Sequence, residues 1–254
     1  MHALKTLLFK ILRMIGIFAL VYICLLLYMV LSERRLAFPR AEADKVSEEA
    51  LRKGAMLCHV EDGKKLQGWV VNDSLSETVL YFADRGEDAA TFLAHAQKMK
   101  GFRFVTFNYR GAAGSEGTPG EKYFSSDIEA MVGCARAESL IFIGHGTGAI
   151  AAYNSLASGL GKGAILVDPA ESFRSALSAR YRIFFPEFLS RTRAEMNFEN
   201  SETPIPIVIL DDPRRGEVVR NLLNRHSKKF VQVERKGRSL IDVLQDELFK
   251  MKTN

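Results

Sequence analysis

Cysteine is scarce, with three in 254 residues, and their spacing fits neither a disulfide framework nor a zinc site. Cys24 lies in an apolar run, and Cys58 and Cys134 are expected to be buried free thiols. No group of His, Cys, Asp and Glu has metal-ligand spacing, and the Gly-Lys-Gly-Ala stretch at 161–164 lacks the P-loop pattern. Neither a metal nor a cofactor is therefore expected. Internal repeats and low-complexity tracts are missing as well. An excess of one charge is also missing from most of the chain. The first 40 residues hold six of the 35 Lys and Arg and one of the 30 Asp and Glu, which leaves 29 of each for the rest. A neutral domain has no broad electrostatic footprint for nucleic acid, so that class of partner is excluded.

The basic residues surround the one long apolar run. Met14 to Leu31 is uncharged and corresponds to about 27 Å of helix, close to a bilayer core. Lys10 and Arg13 flank one end, and Glu33, Arg34 and Arg35 the other. A cleaved signal is the weaker reading, since the nearest small-residue pattern, Ala41-Glu42-Ala43, lies beyond that charged stretch. The expected organisation is a short basic tail (1–13), a single-pass anchor in the lipid bilayer (14–32), a linker (33–54) and one domain (55–254). Flanking charges scarcely discriminate orientation; the short tail and its free amine favour the domain on the outer, non-cytoplasmic side.

Beyond the linker, strand-like runs recur. The first two, around Cys58 and Trp69, are separated by Gly63-Lys64-Lys65 and form an expected antiparallel hairpin. From Val79 onward, continuous apolar runs alternate with amphipathic stretches, the pattern of a parallel sheet covered by helices on both faces. Helices are expected after Asp88, ending on Gly101; from Ser125, Ser126 and Asp127 as capping residues; from Gly148; from Glu217; and from Ser239. Residues 171–201 contain Phe173, Phe184, Phe185 and Phe188, are interrupted by Pro186, and read as a helical insertion over the sheet. A lid packed on the sheet is the favoured reading of its phenylalanines, and a membrane or partner surface the other. The expected fold class is α/β: three layers, a mostly parallel sheet with an N-terminal antiparallel hairpin, and a helical cap insertion.

One turn carries the functional argument. Ile141 to Ile150 reads IFIGHGTGAI, a strand, a glycine turn and a helix start, the outline on which hydrolases mount a nucleophile in G-x-S-x-G. Phe107–Gly120, FNYRGAAGSEGTPG, the hairpin segment EDGKKLQGWVV and the later PIVILDD occur in matching order. On these residues the chain resembles the α/β-hydrolase superfamily, in particular its single-span, membrane-anchored branch related to serine aminopeptidases and dienelactone hydrolases. The resemblance implies a triad and an oxyanion hole, and this sequence departs from both. The nucleophile position is Gly146. The position of the histidine, after the last strand, is Arg238, and no His follows His226. Arg215 or Gly216 stands near the position of the acid, and Asp211 and Asp212 would have no base to orient. The oxyanion loop reads Phe82-Ala83-Asp84-Arg85, where a carboxylate would repel a developing oxyanion unless a cation paired with it. His145 is expected to pack under the turn, Thr147 to point away from the face of Gly146, Ser115 to shape its loop, and Asp168 to form a turn.

The expected protein is thus a non-catalytic hydrolase-fold chain acting by binding or scaffolding. An esterase, acyl hydrolase or peptidase with a displaced catalytic group is the alternative. The expected binding crevice comprises Ala83, Asp84, Arg85, His145, Gly146, Thr147, Asp211, Asp212, Arg215 and Arg238. Salt bridges that plug the old site are the favoured reading of these charges, and a small anionic ligand on Arg215 and Arg238 the other. A protein partner is equally compatible with the sequence.

Overall fold

The computed structural model describes residues 2–200 and 202–253; Met1, Ser201 and Asn254, which belong to the expected tail, insertion and C-terminus, lie outside the described residues. Helix α1 (His2–Ala37) runs through the expected tail and anchor and past residue 32. It stops where Pro39 bars helical backbone at the residue before it. Its stretch Leu4–Ala37 is long and apolar enough to cross a membrane. Helix α2 (Lys45–Ala50) follows, capped by the Asp44 carboxylate, which accepts from Val46 N at 3.2 Å.

The domain is an eight-stranded sheet in the order β1-β2-β4-β3-β5-β6-β7-β8, with β1 (Ala55–His59), β2 (Lys65–Val71), β3 (Thr78–Phe82), β4 (Arg103–Phe107), β5 (Leu140–His145), β6 (Gly163–Val167), β7 (Ile207–Ile209) and β8 (Val231–Val233). Strand β2 is antiparallel to both β1 and β4, with Leu57 opposite Gln67, and the strands from β3 onward are parallel. The expected hairpin and parallel core are both present. Every residue of β3 and β6 is buried because helices cover both faces, so these strands read as continuous apolar runs. Along β3, Leu80 and Phe82 join one core layer with Phe142 and Leu166, while Val79 and Tyr81 join the other with Ile141 and Ile165.

Helices α3 (Ala89–Ala96), α4 (Phe124–Cys134), α5 (Gly148–Ala157), α6 (Phe173–Tyr181), α7 (Gly216–Arg225) and α8 (Leu240–Thr253) connect or flank the strands. Two local expectations are corrected. Helix α3 ends at Ala96, and Gly101, at φ +85°, serves the turn into β4 instead. Helix α4 begins at Phe124 without a side-chain cap. The expected capping carboxylate, Asp127, faces Arg110 in a bidentate pair at 2.6 and 2.9 Å, stronger than a cap to a neutral N–H.

A third correction concerns the thiols. Cys58 on β1 and Cys134 at the end of α4 are joined by a disulfide, with Cα atoms 5.7 Å apart. Packing of α4 against β1 brings them together across 76 residues of sequence, a separation that leaves no local signal. Cys24 is free and exposed on α1. Among its described residues the insertion contributes no strand to the sheet: α6 starts in a Ser172–Ser175 capping box and ends at Tyr181, and two short 3-10 turns flank Pro186.

Candidate functional site

Strand β5 delivers its last residue, His145, to the C-terminal edge of the sheet, and α5 starts three residues later. Between them Gly146 adopts φ +56°, the left-handed backbone that strains other residues and suits glycine. Its N–H donates to the Val167 carbonyl at 2.9 Å and its carbonyl accepts from Ala170 N at 3.1 Å, which fixes the turn against the end of β6. Gly148 has its own constraint, because a Cβ there would overlap the Phe82 carbonyl on β3. The turn is therefore built as an elbow.

What faces the elbow is a carboxylate. A Cβ added to Gly146 would overlap the carboxyl group of Asp84 and meet Arg215 Nη1 at 2.5 Å. Asp84, in the loop after β3, accepts from Thr147 N at 2.8 Å and from Thr147 Oγ1 at 2.9 Å, and its other oxygen pairs with Arg215 Nη2 at 2.5 Å. Burial alone would raise the Asp84 carboxyl, but Arg215 and the Thr147 N–H hold it below the usual carboxylate range. Burial likewise opposes the charge of Arg215, and Asp84 more than offsets it. The Thr147 N–H, the donor that an oxyanion would use, is thus occupied by a resident anion. The Thr147 side chain also corrects an expectation: its hydroxyl turns toward Asp84 and accepts from Arg85 N at 3.1 Å.

A second polar group lies beside this plug. Glu87 accepts from Tyr81 OH at 2.7 Å and from Asp84 N at 2.9 Å, and lies 2.8 Å from His145 Nδ1. Burial would depress His145, but Glu87 and Asp84 outweigh it and hold the imidazole above its ordinary value. His145 Nε2 is 4.0 Å from Asp168. Asp168, buried at φ +47°, accepts from Asp211 N at 2.7 Å and Asp212 N at 2.9 Å, so it ties the ends of β6 and β7 together. Burial pushes its carboxyl up in spite of those bonds. Ser115 shapes its loop, accepting from Gln67 N at 2.9 Å and donating to the Asn108 carbonyl at 2.8 Å.

Of the expected crevice, Ala83, Asp84, Arg85, His145, Gly146, Thr147 and Arg215 come together. Asp211 pairs with Arg235, and Asp212 with Arg214 at 2.9 Å. Arg238 pairs with Asp246 on α8 at the surface, and Gly216 opens α7. Sequence reasoning missed Glu87 and Arg235; for Glu87 the available signal was its place three residues beyond Asp84, within one turn. It also missed the C-terminal end of α1 and the residue after it: Arg85 Nη1 donates to the Leu36 carbonyl at 3.0 Å, and Phe38 stacks on Phe173 at 4.6 Å. These contacts leave a cavity of about 40 Å³ between Ala37, Phe38, Tyr109, Phe124 and Thr147, and a second of about 230 Å³ opens beside Glu87, His145 and Asp211. Ligand sites usually have about 300–1,000 Å³. Among the described residues no cluster of three His, Cys, Asp or Glu side chains could hold a metal ion.

No family model and no curated protein matches the sequence. Solved structures do match. An esterase of Pyrococcus furiosus superimposes at a TM-score of 0.62 with 15% identity, over 85% of this chain and 96% of that one. An alpha/beta hydrolase from Sphaerobacter thermophilus gives 0.57 with 12% identity over 78% and 100%. A serine hydrolase without lid from Xanthomonas campestris gives 0.54 with 18% identity over 78% and 93%. Identities this low speak to the fold alone.

Proposed function

We propose that this chain, which has the α/β-hydrolase fold, is a membrane-anchored pseudohydrolase that acts by binding or scaffolding. The observation that carries this reading is the Asp84 carboxylate, which fills the space of a nucleophile side chain at Gly146 and is bonded to Thr147 N and Arg215. Hydrolysis of an ester or amide needs a nucleophile, a base and an empty donor at that place. Here the first two positions are Gly146 and Arg238, and the donor is taken. Arg215, Arg235 and Arg238 are each paired with a carboxylate of the chain, which supports a plugged site over one that captures a free anion.

The full chain, purified in mild detergent, is expected to turn over no short acyl ester and to take no label from a fluorophosphonate probe. Turnover or labelling that survives heat-inactivated controls overturns the proposal. The anchor is α1, whose Leu4–Ala37 stretch is long enough to span, and the Cys58–Cys134 disulfide supports a domain on the oxidising, non-cytoplasmic side. Protease added outside intact cells should then degrade the domain, and protection until lysis would reverse that orientation.

A further inference from the structure

Two fastenings tie the insertion to α1. Glu33 accepts from Ser190 Oγ at 2.5 Å, Arg191 N at 2.7 Å, Thr192 N at 3.0 Å and Thr192 Oγ1 at 3.0 Å. Eleven residues earlier on the same helix, the Tyr22 hydroxyl donates to the Ile183 carbonyl at 2.6 Å. Eleven residues are about 16 Å of helix rise, so residues 183–190 run along α1 from Tyr22 to Glu33, and Ile183 is the end that lies deepest along the apolar run. Tyr22 is nine residues before Leu31, the last residue of the apolar run, or about 14 Å of helix. That distance is roughly half of a ~30 Å hydrocarbon core.

The side chains of this segment divide sharply. Phe185 is fully buried, whereas Ile183, Phe184 and Phe188 are 67%, 45% and 83% exposed. Arg180, Arg182, Arg191 and Arg193 flank the segment and are exposed. We propose that this tip of the insertion enters the acyl region of the leaflet from which the domain emerges, lying against α1, with Arg191 and Arg193, beside Glu33, at the lipid phosphates and Glu187 held on Arg174. The inference rests on α1 being a membrane span.

Three physical requirements meet here. A tyrosine hydroxyl within hydrocarbon needs a partner, and so does an irregular carbonyl; Tyr22 and Ile183 supply each other. Large apolar side chains left in water are unfavourable, and lipid removes that exposure. Long arginine side chains can keep their charge at the headgroups while their stems lie deeper.

The test uses the full chain in vesicles of phosphatidylcholine and phosphatidylglycerol whose acyl chains carry bromine, a quencher of tryptophan. Trp69, the sole native tryptophan, is 2% exposed inside the domain and reports that each variant is folded. Leu25→Trp places a probe on α1, and Ile183→Trp and Phe188→Trp place probes on the tip. The expected result is loss of most of the added emission in all three. Quenching at Leu25→Trp with neither tip probe quenched overturns the inference and leaves the anchor standing. No quenching at Leu25→Trp overturns the span, and this inference with it. An unquenched Phe188→Trp whose emission shifts to the blue with rising protein concentration assigns the patch to a second copy and refutes the lipid assignment.

Discussion

The elbow crevice and the tip of the insertion both lie outside the core of the sheet, yet their side chains are handled in opposite ways. In the crevice, Asp84 meets Arg215 and Thr147, His145 meets Glu87, and Asp168 meets two backbone N–H groups. Polar groups there are paired inward, and the cavities beside the elbow are about 40 and 230 Å³. At the tip, Ile183 and Phe188 face outward with no protein packed over them. A surface that retains chemistry keeps polar groups available, and a surface that meets another phase keeps apolar groups available. By that criterion the crevice has become part of the fold and the tip has not. Mutations should therefore be costly in the first region and silent for folding in the second.

The largest expected effect comes from placing a serine at the elbow. Gly146→Ser puts a Cβ into the Asp84 carboxyl group and disturbs a buried ion pair, at a cost of about 3–5 kcal/mol. Urea unfolding in mild detergent, followed by Trp69 emission, measures it. The same variant should show no ester turnover, because no histidine follows the last strand to act as its base and His145 is held on Glu87. Combining it with Asp84→Ala and Arg215→Met should recover most of the stability, since the obstructing pair is then gone. Wild-type stability in Gly146→Ser alone would show that Asp84 yields easily and that the crevice is not closed.

Next in size is Arg215→Met, which leaves the Asp84 carboxylate buried with only its Thr147 donors. The expected loss is about 1–3 kcal/mol, toward the lower end because the Arg215 side chain is 35% exposed and screened. Asp84→Ala combined with Arg215→Met should cost less than the two single changes together, and a double-mutant cycle measures the coupling. Additive losses would mean that the pair is incidental to the plug.

How far these residues could be foreseen depends on the range of the interaction. Gly146 and Asp84 occupy positions of local motifs, so the elbow and the intruding carboxylate were legible in the chain itself. The sheet was legible for the same reason, since burial on two faces leaves a mark within a single strand such as Thr78–Phe82. The cation that meets Asp84 was not. Arg215 and Arg238 are 131 and 154 residues away, and only the placement of α8, where Asp246 takes Arg238, decides between them. Cys58 and Cys134 are hidden in the same way by 76 residues. Phe173 opens α6, whereas Phe184, Phe185 and Phe188 lie in and beside short 3-10 turns, where no period separates buried Phe185 from exposed Phe184 and Phe188.

A smaller effect should appear in the pH dependence. His145 is held above its ordinary value, so its contribution is fully present below the unfolded-state value of about 6.5. It is then lost as pH rises through the higher folded-state value. Asp84, held below the usual carboxylate range by Arg215 and the Thr147 N–H, does not contribute in this window. The expected difference between the wild type and His145→Gln is a slope of unfolding free energy that falls above pH ~6.5 and is flatter in the variant. Parallel slopes would mean that the Glu87–His145 pair does not depend on the imidazole being charged.

The smallest effect is expected at the tip, where the comparison is sharpest. Phe188→Ser removes an 83% exposed side chain that the domain does not pack against, so unfolding in detergent should shift by no more than about 0.5 kcal/mol. Phe185, three residues away and fully buried, provides the internal standard, since Phe185→Ala opens a cavity and should cost about 3–5 kcal/mol. If Phe188→Ser were as costly as Phe185→Ala, the tip would be part of the packed fold, and its exposed apolar surface would need no second phase to explain it. A silent Phe188→Ser would leave an unfavourable exposed aromatic that the fold does not use, as the proposed contact with lipid beside α1 requires.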